Sequence, residues 1–270
     1  MNNLPIGIFD SGIGGLTVAK AVHDLLPNES LIYFGDTAHL PYGDKSPNLL
    51  KKYVVEIVDF LLQRQVKAII IACNTASAVA YEYLKQNYPN ILFFEVIQPA
   101  VQQAVQYTKN QRIGVIGTKT TILSHVYLKK ILDSLPSAFV VEKATPLLVP
   151  MIEEGWIHDK LSKEIIEAYL SDTGFTHIDT LILGCTHYPL IRFEVEQYFE
   201  KNALHKTYVI DSAIALAKQV YQYFSQHDLF STNPNPYLQF FVSDLTPSFQ
   251  ETASLFFGKN IQLEKWENPL

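Results

Sequence analysis

Cys73 and Cys185 are the two cysteines of a 270-residue chain, and each stands at the end of an apolar run. The first run is Ala68-Ile69-Ile70-Ile71-Ala72; after Cys73 come Asn74, Thr75 and a series of small residues. The second is Thr180-Leu181-Ile182-Leu183-Gly184, followed by Cys185, Thr186, His187 and Tyr188. A thiolate is a base and a nucleophile, and the thiol is an acid with an ordinary pKa of about 8.5. Amides at a helix start stabilise the anion by about 0.3–1 kcal/mol, occasionally about 2, which lowers a pKa by fewer than about two units. Such a thiol is only partly ionised near neutral pH, so a proton acceptor beside each sulfur would be useful. Asp10 and His187 are the candidates, one in each half of the chain. A lone buried cysteine is usually inert packing. Two in matching settings carry more weight.

The elements that must position them follow from the flanking residues. Four apolar residues ahead of Cys73 predict a strand buried on both faces, as in a parallel sheet. Asn74 and Thr75 are N-cap types, so a helix is expected over about Ala76 to Leu84. Cys73 then falls where a strand's carboxyl end meets a helix amino end, the usual ligand position in open α/β sheets. Ile6 to Phe9 and Leu31 to Phe34 read as further strands, as does Ile91 to Val96, with helices expected over Leu16 to Leu26 and Leu49 to Gln63. Strands alternating with helices predict βα units and a parallel sheet.

The order then starts again. Ile113-Gly114-Val115-Ile116-Gly117-Thr118 mirrors Ile6-Gly7-Ile8-Phe9-Asp10-Ser11, and Phe139-Val140-Val141 stands where Leu31-Ile32-Tyr33 stood. A helix near Lys160 to Leu170 precedes the Cys185 strand. The offsets are 107 from Ile6 to Ile113, 108 from Leu31 to Phe139 and 112 from Cys73 to Cys185. The expected fold is therefore α/β: two similar parallel-sheet, Rossmann-like domains related by pseudo-twofold symmetry, with a cleft between them that both cysteines face. Beyond Tyr208 the pattern no longer follows the repeat, and the tail is expected to cross back to the first domain. The domains expected are 1–97 plus 211–270, on the Cys73 side, and 98–210, on the Cys185 side.

Composition sets the outer bounds. With 48% hydrophobic and 18% charged residues the chain reads as an ordinary soluble protein. A net charge of −6 argues against nucleic acid or an anionic membrane as the main partner. Two cysteines make no disulfide framework, which favours a reducing compartment. Met1 to Pro5 lacks the basic segment of a signal peptide, and no apolar run reaches the roughly 18–20 residues of a membrane span. A cytoplasmic location is expected.

Other motifs are weaker. Asp10-Ser11-Gly12-Ile13-Gly14-Gly15 resembles a phosphate-cradling loop but lacks the P-loop lysine and the Rossmann glycine spacing. A tight turn is the better reading, and helix amides with hydroxyls would equally suit a carboxylate. Asp36 reads equally as a cap on a turn, Pro41-Tyr42-Gly43 as a turn, and Glu153-Glu154 as a solvated helix end. His23, His125, His158, His177, His205 and His227 read as surface residues. Cys185 and His187 are too few ligands for zinc, and no nucleophile elbow is present. No metal site is expected.

Taken together, Asp10-Ser11-Gly12-Ile13-Gly14-Gly15, Gly35-Asp36-Thr37, Pro41-Tyr42-Gly43, Ala72-Cys73-Asn74-Thr75-Ala76 and Gly184-Cys185-Thr186-His187-Tyr188-Pro189-Leu190 resemble the signature set of the glutamate racemases, in the aspartate/glutamate racemase family. Pro150-Met151-Ile152-Glu153-Glu154-Gly155 and Phe241-Val242-Ser243-Asp244 fit as well, so the resemblance runs from residue 6 to about 266. His39 departs from it, standing where many members carry arginine. The resemblance implies an isomerase that converts L- to D-glutamate for peptidoglycan precursors without a cofactor, its active site lying between two α/β domains. It implies that Cys73 takes the α-proton of D-glutamate and Cys185 that of L-glutamate, assisted by Asp10 and His187 respectively. Substrate contacts map to Asp10, Ser11, Tyr42, Gly43, Asn74, Thr75, Thr186 and His187. Asp36, Glu153 and Thr118 fall on supporting positions. A homodimer is expected.

The residue logic agrees: inverting a stereocentre by proton exchange needs a base on one face and an acid on the other. The alternatives are a racemase for aspartate or a hydantoin, a decarboxylase of the same superfamily, and a Cys73–Cys185 redox pair. The resemblance adds a DNA gyrase-binding role reported for some members. Two cysteines speak against the decarboxylase, which as a class uses one.

Overall fold

A computed structural model describes residues 2–204 and 206–267. The chain opens with β1 (Ile6–Asp10), α1 (Leu16–Leu25), β2 (Leu31–Gly35), α2 (Pro47–Gln63), β3 (Ala68–Ile71), α3 (Asn74–Asn87), β4 (Phe93–Glu95) and α4 (Ile97–Tyr107). It continues through β5 (Arg112–Gly117), α5 (Lys119–Leu123), α6 (Val126–Ser134), β6 (Phe139–Ala144), α7 (Leu148–Glu153), α8 (Lys160–Leu170), β7 (Thr180–Gly184), α9 (Arg192–Asn202), β8 (Tyr208–Asp211) and α10 (Ser212–Gln226). β9 (Leu238–Val242), α11 (Pro247–Phe257) and β10 (Glu264–Lys265) complete it.

These strands form two sheets with every pairing parallel, one in the order β10-β9-β2-β1-β3-β4 and the other β6-β5-β7-β8. The shared order β2-β1-β3-β4 and β6-β5-β7-β8 is the internal repeat expressed as topology. Ile6 lies opposite Leu31 and Ala68, as Ile113 lies opposite Val140 and Thr180. Ala68 and Thr180 are 112 residues apart, the spacing of the two cysteines. The counterpart of Leu31 is thus Val140, one residue beyond the Phe139 that the sequence comparison matches to it.

That slip has a physical cause. β2 is covered by β1 on one side and β9 on the other and is fully buried, which constrains its pattern. β6 is an edge strand of half-exposed residues, so its sequence records the register weakly. The tail supplies β9 and β10 to the first sheet, while β8, where the repeat was expected to lapse, pairs with β7 in the second as β4 pairs with β3 in the first.

Burial follows the period-two geometry of strands. Ala68 and Ile70 point into a core shared with α1, α4 and the second sheet, while Ile69 and Ile71 point into a core under α2 and α3. All four are wholly buried, and each isoleucine contributes about 1.5–3 kcal/mol on leaving water. The strand expected over Ile91 to Val96 is shorter, Phe93 to Glu95, because the Glu95 carboxylate turns to accept the Ile97 and Gln98 amides at the start of α4. α10 starts in the same manner: Asp211 accepts the Ala213 amide at 2.8 Å and that of Ile214 at 3.3 Å. It packs against both α1 and α4, tying the two sheets together.

Of the histidines read as surface, His125, His158, His177 and His227 are exposed. His23 is not. It is part-buried, stacked on Phe257 at 6.0 Å, because α11 folds back over α1. His205 lies outside the described residues. Among the described residues, no helix is long and apolar enough to cross a membrane.

Candidate active site

Both cysteines sit just beyond their strands, β3 and β7, and both line one cavity of about 290 Å³. The helix after β3 begins at Asn74 rather than Ala76, and the residue that caps it is Cys73 itself. Its sulfur accepts the Ala76 amide at 3.4 Å and stands 3.7 Å from the Ser11 hydroxyl. Asn74 and Thr75, expected as caps, form the first turn instead. The Cys185 sulfur stands 3.8 Å from Nδ1 of His187, whose Nε2 is 2.9 Å from the half-buried Glu153 carboxylate. Glu153 closes α7, so the solvated helix end anticipated there is one wall of the cavity; Glu154 is exposed.

The electrostatics of Cys73 and His187 set the proton chemistry of the two walls. Burial pushes the Cys73 thiol up to about 12, with the nearby Asp10 carboxylate adding to the shift. The Ala76 amide and Ser11 hydroxyl pull the other way without matching it. The partial ionisation anticipated from the helix terminus is therefore overridden by desolvation. His187 moves up to about 10: burial alone would lower it, but hydrogen bonds to Cys185 and Glu153 and the charges of both outweigh that. At neutral pH the Cys73 wall holds a proton on sulfur and the Cys185 wall holds one on imidazole.

Asp10 lies behind the cavity wall, completely buried. Its carboxylate accepts the Gly12 amide at 3.0 Å and the Thr186 hydroxyl at 3.4 Å, and its hydrogen bonds do not extend to Cys73. Burial raises its pKa, opposed by the His187 charge and by the Gly15 and Gly12 amides. The glycine-rich turn after β1 has a reason other than a phosphate. A Cβ on Gly14 would lie 2.4 Å from the His187 ring and 2.6 Å from the Thr186 hydroxyl. Only glycine lets the first half approach the second so closely.

Ser11, Tyr42, Gly43, Asn74, Thr75, Thr118, Glu153, Thr186 and His187 all line the cavity with the cysteines, whereas Asp10 and Asp36 sit behind it. Asp36 is wholly buried and braces the Tyr42 wall. It accepts the Tyr42 hydroxyl at 2.6 Å and the Ser243 hydroxyl at 2.8 Å, with Nδ1 of His39 at 2.8 Å. The Tyr42 phenol is raised well above its ordinary range by burial and by Asp36, and so stays a donor. His39 also stacks on Tyr53 at 3.9 Å. Thr75, Thr118 and Thr121 join their hydroxyls in a triangle of 2.9, 3.2 and 2.9 Å that links the start of α3 to the start of α5.

Other residues of the site escaped the sequence reading. Thr145 lines the cavity and shares a 2.6 Å hydrogen bond with Tyr188. Its amide bonds to Gly117 as that of Asp36 bonds to Asp10, so the internal repeat was the signal that could have found it. Lys119 and Asp44 pair across the mouth at 3.3 Å, and Thr120 donates to the Gly43 carbonyl at 2.7 Å. Phe256 comes from the tail, edge-on to His187 at 5.1 Å. Tyr127 donates to Asn74 at 2.6 Å. A larger, mainly apolar hollow of about 480 Å³ lies between α1, α10 and α11, and neither cysteine lines it. Among the described residues, no group of three or more histidine, cysteine, aspartate or glutamate side chains is arranged to hold a metal ion.

Comparison with known proteins gives the family. A family model described as Asp/Glu/hydantoin racemase matches residues 16–220. The chain is 45% identical over 260 residues to the glutamate racemase of Chlorobaculum parvum, covering 95% of this chain and 93% of that one. It is 40% identical over 259 residues to the glutamate racemase of Neisseria meningitidis serogroup C, covering 96% and 94%. Its structure superimposes on that of the Francisella tularensis glutamate racemase in complex with D-glutamate. The TM-score is 0.91 at 36% identity, over 99% of this chain and 98% of that one.

Proposed function

This chain belongs to the Asp/Glu/hydantoin racemase family, and from that premise we propose that it interconverts L- and D-glutamate with Cys73 and Cys185 as opposed acid and base. The observation that carries the reading is that both thiols line one cavity at repeat-equivalent strand ends, on different sheets. Relatives named glutamate racemase, one of them holding D-glutamate, supply the substrate. The product would serve as a peptidoglycan precursor. The division into 1–97 plus 211–270 and 98–210 remains our proposal for the domains, supported by which strands share a sheet.

In the L-to-D direction Cys185, as thiolate, takes the α-proton and leaves the electron pair on Cα as a planar carbanion. Cys73 then delivers its own proton to the opposite face and becomes the thiolate. The reverse direction exchanges the roles. A proton held on Cys73 by burial, with His187 paired to Glu153 at the other sulfur, suits a reaction that begins with L-glutamate. Asp10 sets the charge behind Cys73 and the position of Thr186; Asn74, Thr75 and Thr186 offer donors to the substrate carboxylates. Acid and base both come from side chains, so the proposed reaction draws on no cofactor.

The test is to give the purified enzyme D-glutamate alone and follow circular dichroism. Decay of the signal to zero supports the reading. A constant signal refutes it, and faster conversion of L-aspartate than of L-glutamate would reassign the substrate.

A further inference from the structure

Asn74 is 2% exposed and lines the cavity, yet its amide nitrogen has no hydrogen-bond partner among the described residues. Its amide oxygen is held from the opposite half of the molecule. Tyr127, on α6, is wholly buried and its hydroxyl donates to Asn74 Oδ1 at 2.6 Å. The Tyr127 ring also reaches the second cysteine arm: a Cβ on Gly184, the residue before Cys185, would lie 3.3 Å from Tyr127 Cε2. One aromatic side chain therefore touches the segments that carry both sulfurs.

We propose that Tyr127 is a positioning residue whose hydroxyl fixes the Asn74 amide with its nitrogen toward the cavity, where it donates to a carboxylate of the substrate. The inference rests on the proposed function and goes beyond it. A side-chain amide has two orientations, and its partners decide between them. With oxygen toward Tyr127, the phenol proton has an acceptor and the amide presents N–H groups to an anionic ligand. With the amide reversed, the buried phenol proton loses its acceptor and Oδ1 faces a carboxylate, acceptor against acceptor. Burial, then the charges of Glu95 and Cys185, keep the phenol protonated, so the donor is present throughout the working pH range.

The experiment is Tyr127→Phe, which keeps the ring and removes the hydroxyl, assayed in both directions beside wild type and Asn74→Ala, with thermal unfolding in parallel. We expect KM to rise by about threefold to tenfold for both enantiomers with kcat within about twofold. In the Asn74→Ala background, Tyr127→Phe should shift KM no further. An unchanged KM, a loss confined to kcat, or the same KM shift persisting without Asn74 would overturn the proposal. So would a variant that no longer folds, since the hydroxyl would then be structural. If wild type converts glutamate while Tyr127→Phe behaves identically, this inference alone falls. If wild type does not convert it, the proposed function falls and takes this one with it.

Discussion

The sulfur of Cys185 and Nδ1 of His187 stand 3.8 Å apart, two residues from one another, with Glu153 on the far side of the imidazole. Among the described residues Cys73 has no such partner. Its hydrogen bonds go to a hydroxyl and an amide, and the carboxylate nearest in charge, Asp10, is held by Gly12 and Thr186. The two walls are alike in fold and unlike in proton chemistry, and several consequences can be measured.

Replacing either sulfur removes one half of the exchange. Cys73→Ala and Cys185→Ala should each reduce racemisation in both directions by at least about 10²–10⁴-fold while far-UV circular dichroism is unchanged. Either variant retaining near-normal turnover would show that its sulfur is dispensable.

The raised His187 predicts a pH-dependent contribution to stability. With an ordinary value of 6.5 unfolded and about 10 folded, the native state binds the proton more tightly. The stabilisation is fully present below about 6.5 and is lost as pH climbs to about 10. Cys73, raised from 9.0 to about 12, loses its contribution over that higher interval by the same sign. The gap in melting temperature between wild type and His187→Gln should therefore be widest at pH 6 and narrow steadily toward pH 10.

Glu153→Gln leaves the hydrogen-bond geometry at Nε2 available but removes the negative charge that helps keep His187 protonated. The alkaline limb of the kcat/KM profile should move to lower pH, and His187 titration followed by NMR should move with it. A profile superimposable on wild type would assign Glu153 to packing.

Gly14→Ala would drive a methyl into the His187 ring and the Thr186 hydroxyl. Overpacking of this kind costs about 1–3 kcal/mol. Displacing His187 should also lower turnover more than a glycine-to-alanine change at Gly155, where the added methyl meets nothing. Thermal denaturation and kinetics on the same preparation read both effects.

How much of this was legible in the sequence depended on burial. β3 and β7, covered on both faces, wrote their position in continuous apolar runs, and the cysteines at their ends followed. Edge strand β6 left its register one residue uncertain, since half-exposed positions select side chains weakly. The acidity of Cys73 was misjudged for a related reason: the helix amide is visible in sequence, the desolvation that outweighs it is not. Thr145 and Tyr127 act through contacts across 43 and 53 residues, and no local spacing announces those. Asp36 read as evenly a turn cap or a site residue because its partners Tyr42 and Ser243 converge on it only in the fold.

The central claim, a base on one face and a separate acid on the other, is tested most directly by converting L-glutamate in deuterium oxide and analysing both enantiomers at early times. A two-thiol exchange predicts that D-glutamate carries deuterium at Cα from the first turnover, delivered by solvent-equilibrated Cys73, while the remaining L-glutamate retains its proton. Deuterium appearing equally in both enantiomers, or in neither, would contradict it.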